Sequence, residues 1–93
     1  MDKAIQSLYQ ELLREAHKFR VSISVLSRFH KKMEEFKHGK TDPSKVIVPL
    51  IREIEKSIRR NTREGNKESA LVSMARKRAR FSELQKELIY RRK

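Results

Sequence analysis

Ninety-three residues, with 24 Lys and Arg against 12 Asp and Glu, carry a formal charge of +12, which leaves room for one small domain and excludes a multidomain enzyme. Without cysteine there is no disulfide, no thiolate metal site and no Cys nucleophile, and His17, His30 and His38 are too scattered for a zinc site. Charged residues at 39% and apolar residues at 37% would suit a disordered chain if the apolar positions were unpatterned, but they are patterned.

The first predicted element starts at Asp2. Ile5, Leu8, Tyr9, Leu12, Ala16 and Phe19 recur at helical spacing and form one stripe, widened by Leu13. Asp2 at its start and Lys18 and Arg20 at its end agree with the helix dipole. The β-branched run from Val21 to Val25 has strand character, yet Leu26, Phe29, Met33 and Phe36 recur at 3,4,3 spacing, which predicts a second helix over 22–38. Gly39 suits the left-handed position just past its end. Asp42 is then the carboxylate cap of a third helix, and Pro43 sits where a missing N–H costs nothing.

The third helix carries the stripe Ile47, Leu50, Ile51, Ile54 and Ile58. Pro49 lies within it, which predicts a kink between Lys45 and Val48 or a helix that starts only at Pro49. Gly65-Asn66 is expected to end this helix, and a fourth begins at Lys67 with Leu71, Met74, Ala75, Phe81, Leu84 and Leu88 on a stripe broken by Arg78. That segment has nine basic and three acidic residues, half the charge of the chain. The reading is all-α: a three-helix bundle over residues 1–65 with a basic helical extension over 66–93.

No stretch approaches the roughly 18–20 continuous apolar residues of a membrane span. The opening MDKAIQSLYQ has an acid and no apolar run, so no obvious cleavable presequence is expected. There is no glycine-rich phosphate loop, no His-Glu-x-x-His and no nucleophile beside a His and a carboxylate, so catalysis is not expected. His17 and His30, Glu34-Glu35, and Glu53 and Glu55 read as solvated helix faces.

The stretch from Leu8 to Phe19, LYQELLREAHKF, resembles the opening helix of the LYR-motif family of small mitochondrial proteins, through Leu8, Tyr9, Gln10 and Phe19. A second stretch, Glu35 to Pro43, is similar to the family's later signature of a Phe followed by a basic residue, here Phe36 and Lys37. The resemblance covers residues 3–64, with Gln10 where the family has Arg and Gly39 where it usually has Asn. Loss of the arginine fork removes a charge and bidentate donors, which weighs against the iron–sulfur delivery role proposed for the tripeptide.

The resemblance implies a three-helix LYR-type domain in the mitochondrial matrix that binds mitochondrial acyl carrier protein. It implies no cofactor of the chain's own; an acyl-4′-phosphopantetheine carried by the partner enters the helical core, gaining ~0.8 kcal/mol per buried CH₂. Leu12, Phe19, Phe29, Met33, Ile51 and Ile54 are the candidate lining, and Lys3, Arg14, Lys32, Lys37 and Lys40 the candidate basic face for an acidic carrier. The adaptor would serve a larger host complex: a mitochondrial ribosome, a respiratory complex or the cysteine desulfurase. Arg76, Lys77, Arg78, Arg80, Arg91 and Arg92 are candidate contacts to ribosomal RNA or another partner. The alternative is a basic helical module that binds nucleic acid with no acyl ligand. With Phe81 and Tyr90 the fourth segment's aromatics, such a module would contact backbone and have no platform for stacking bases.

Overall fold

The apolar stripes form the helices that their spacing demands. In the computed structural model, which describes residues 3–39 and 42–91, the last three as helix alone, four α-helices and no strand occur among the described residues. They are α1 (Lys3–Lys18), α2 (Ile23–Lys37), α3 (Ser44–Asn61) and α4 (Glu64–Arg91). Asp2, the expected start of the first helix, lies outside the described residues.

Each turn has a specific chemical cause. After α1, Val21 N–H donates to Ala16 C=O at 2.9 Å and Arg20 N–H to His17 C=O at 3.2 Å, the paired bonds of a Schellman ending. Arg20 occupies the left-handed position of that motif, with φ +63°. Ser22 caps α2, its hydroxyl accepting from Val25 N–H at 3.4 Å. That cap converts the β-branched run into the first turn of a helix. Gly39 follows α2 with φ +73°, as its position required, and donates to Phe36 C=O at 2.9 Å. The Asp42 carboxylate accepts from Ser44 N–H at 2.9 Å, so it caps α3 as expected.

Of the two alternatives at Pro49, a late start is ruled out, because α3 begins at Ser44 and runs through the proline. Proline has no N–H to return to the Lys45 carbonyl, and the helix continues because Val46, Ile47, Leu50 and Ile51 on either side are fully buried. The C-terminal end of α3 differs from expectation. The chain leaves the helix at Thr62, which is extended at φ −111° and ψ 138°, and re-enters at Glu64. Gly65 and Asn66 therefore belong to the first turn of α4, where a glycine is tolerated and Glu64 suits the positive end of the dipole.

Helix α3 is central and packs against each of the other three. Asn61 Nδ2 donates to the Phe19 carbonyl at 3.2 Å, so the C-terminal ends of α1 and α3 lie together. Arg78 meets Glu55 and Gln85 meets Asp42, so α4 runs antiparallel to α3. Helix α2 packs closely along α3 alone.

The fourth helix is more than an appendage. Its 28 residues span about 42 Å at 1.5 Å per residue, close to the 45 Å long axis of the molecule. Met74 and Phe81 are 0% and 2% exposed and share one apolar core with Leu8, Leu12, Ile51 and Ile54. Arg78, the break in the stripe, is accommodated because its guanidinium reaches Glu55 at 2.6 Å. Glu55 is correspondingly only 18% exposed, not the solvated residue that the sequence suggested. No helix among the described residues is long and apolar enough to cross a membrane.

Candidate functional site

Helix α1 carries the first motif stretch and α2 the second, and both helices pack on α3. Leu8 and Tyr9 occupy adjacent positions of the α1 stripe and are both buried, whereas Gln10 falls on the exposed side. Tyr9 is 3% exposed, and its hydroxyl is buried without a hydrogen-bond partner. Buried polar groups are nearly always paired, so an orphaned phenol marks a position where something more than packing is at stake. Burial raises the pKa of this hydroxyl, and the nearby charge of Glu34 raises it further, so the phenol is held neutral.

Glu34, on α2, accepts from Lys37 Nζ at 3.0 Å one turn further along. That hydrogen bond and the Lys37 charge hold its carboxyl below the usual value, with His30 and His38 adding in the same direction. The charge of Glu34 thus reaches Tyr9 of the first motif and is paired with Lys37 of the second. The Glu34 side chain is 46% exposed, in keeping with the solvated face that the sequence predicts. The three-residue spacing to Lys37 was the available signal for their pairing.

The other candidate residues divide by location. Leu12, Met33, Ile51 and Ile54 are at most 1% exposed and Phe29 is 7% exposed, all within one contiguous core. Phe19 packs against this core from its edge. It is half-buried beyond the end of α1, beside Thr62, Asn66 and Ala70 at the start of α4, and Lys18 Nζ lies 5.5 Å from its ring centroid.

Of the candidate basic face, Lys3 and Arg14 are exposed on α1 and, eleven positions apart, share its outward side. Lys32 and Lys37, five positions apart on α2, point about 140° apart, so they serve different flanks. Lys40 lies outside the described residues.

The basic residues of α4 are partly committed within the fold. Arg80 grips Glu11 of α1 through both guanidinium arms, at 2.5 and 3.1 Å. Arg78 is tied to Glu55, and Lys77 Nζ donates to Ser73 Oγ at 3.4 Å. Arg76 is exposed. The Arg91 side chain and Arg92 lie outside the described residues.

Compared with protein-family models, with curated proteins and with solved structures, the chain finds no match in any of the three. The assignment of a function therefore stands on the residues themselves. Among the described residues, no three His, Asp or Glu side chains gather closely enough to hold a metal ion. His17 and His30 are exposed and separate.

Proposed function

We propose that the chain is a non-catalytic adaptor of the LYR type, in which α1 to α3 carry the motif stretches and the basic α4 closes their core. It acts in the mitochondrial matrix, where it binds acylated acyl carrier protein and holds it within a larger assembly. The observation that carries this reading is Tyr9 of the first motif, whose buried hydroxyl has no hydrogen-bond partner among the described residues and feels the charge of Glu34, the partner of Lys37 in the second motif.

The candidate lining suits a fatty chain in chemistry. Leu12, Phe29, Met33, Ile51 and Ile54 are apolar and belong to one core. In the chain alone these side chains cover one another, so a guest must separate them. Helix α2, held closely by α3 and not by α1, is the element that can yield. Each CH₂ then removed from water contributes ~0.8 kcal/mol against the cost of that separation. Host assemblies that fit the reading are a mitochondrial ribosome, a respiratory complex or the cysteine desulfurase.

Native mass spectrometry after co-expression with acyl carrier protein tests the proposal. The complex should require a chain of roughly twelve or more carbons on the carrier, and Lys37→Glu should weaken it without loss of helix content. Equal binding of a carrier with a bare phosphopantetheine arm overturns the reading. A nucleic-acid module without acyl ligand draws on the net charge of +12, but two of its candidate arginines, Arg78 and Arg80, are already occupied by Glu55 and Glu11.

A further inference from the structure

Six ion pairs among the described residues absorb Glu11, Glu34, Glu53, Glu55, Glu64 and Glu83. Cations left over are not spread evenly. The bond from Asn61 Nδ2 to the Phe19 carbonyl draws together the C-terminal ends of α1 and α3. The start of α2 and the start of α4 follow each within a few residues. All four helices therefore contribute to one end of the molecule, and that end carries Lys18, Arg20, Arg59, Arg60 and Arg63. All five are exposed and have no carboxylate partner among the described residues. Glu64, the acid nearest to Arg63 in the chain, is bound to Lys67 at 3.1 Å, and Glu15 and Glu68 are the other carboxylates near this end, so the cations still exceed the free acids there.

Two features at the same end go beyond charge. Arg20 keeps a left-handed backbone, φ +63°, in a position where glycine is the usual residue. A side chain with a Cβ costs roughly 1 kcal/mol there, yet its guanidinium makes no intramolecular bond that would explain it. Three residues on, Ile23 is 79% exposed, the barest large apolar side chain among those described. It opens α2 directly after Arg20, Val21 and Ser22, so a bare branched hydrocarbon stands at the same end of the molecule as the cations.

We propose that this tip, formed by Lys18, Arg20, Ile23, Arg59, Arg60 and Arg63, docks on the surface of an anionic lipid bilayer. The five cations meet lipid phosphates, and Ile23 enters the boundary between headgroups and acyl chains. A bilayer has both a negative surface and an apolar layer beneath it, so it engages both kinds of side chain. A nucleic-acid backbone would use the arginines and leave Ile23 in water. The inference is independent of the adaptor reading, because none of the six residues is Tyr9, Glu34 or Lys37.

Vesicle flotation of the full chain tests it, comparing pure phosphatidylcholine with the same lipid containing about one-third phosphatidylglycerol at physiological salt. The chain should float with the anionic vesicles only. Arg20→Gly and Arg60→Gln should each lower the partition coefficient about fivefold, the effect of one cation at such a surface, and Ile23→Ser should lower it by up to about tenfold. Lys45→Gln and Arg52→Gln remove the same charge elsewhere on α3 and should have clearly smaller effects. Arg20→Gly also relaxes the backbone, so weaker binding by a better-folded variant cannot be attributed to unfolding. Partition that ignores lipid charge, or that is unchanged by Arg20→Gly and Ile23→Ser, overturns the proposal. So does binding to a short RNA duplex that the arginine variants weaken and Ile23→Ser does not, if anionic vesicles capture nothing.

Discussion

Arg20 and Tyr9 each hold a group in a costly situation, and each can be relieved by one substitution. At Arg20 the left-handed backbone penalises any Cβ, and the Gly39 turn shows the same chain using glycine for the same task. Arg20→Gly should therefore raise stability by up to about 0.5 kcal/mol after the entropy of the freer unfolded chain is subtracted. Thermal unfolding followed by circular dichroism would show it as a midpoint up to about 4 °C higher. At Tyr9 the hydroxyl is desolvated without compensation. Tyr9→Phe deletes only that oxygen and should leave the free chain as stable as before, or more stable by about 1 kcal/mol. If the hydroxyl serves a partner, the same variant should bind acylated carrier more weakly, so chemical denaturation and carrier affinity move in opposite directions.

Among the elements, α1 to α3 were legible because each has an apolar stripe of one period, and Gly39 and Asp42 mark the break between α2 and α3 as their types require. The ends at Arg20 and Thr62 carry no such signal. Gly65 misled, since a glycine is tolerated in a first turn, and at Pro49 the buried flanks decide for a continuous helix over a late start. The place of α4 was harder to read. Its stripe is broken and its charge is high, and what docks it includes ion pairs to carboxylates 23 and 69 positions away, which no local pattern reveals. The Arg80–Glu11 link has a pH signature. Hydrogen bonding to Arg80, helped by its charge, holds the Glu11 carboxyl below the ordinary value of 4.5 that it has in the unfolded chain. Its contribution is complete above that value and is lost as pH falls through the lower, folded value. Acid titration of stability should therefore show the native chain losing more than Glu11→Gln below pH 4.5, by less than about 1 kcal/mol because both partners are partly exposed.

For the molecule as a whole, the core lies between α3 and its neighbours, and α4 closes one side of it. Phe81→Ala should cost about 3–5 kcal/mol, a large share of the total available to a domain of this size. Equilibrium denaturation would register it as an earlier midpoint, whereas a helix that merely trails from a finished bundle would lose almost nothing. The site was legible only in part for a related reason. Tyr9 and Lys37 stand in recognisable stretches, but that the charge of Glu34 bears on both follows only from the folded arrangement. The central position of α3 has one more consequence. Since α2 leans closely on α3 alone, it should be the first segment to open. Its backbone amides, from Leu26 to Phe36, should trade deuterium with solvent sooner than those of α1 and α3, which makes it the part of the chain whose motion another molecule can most readily enlist.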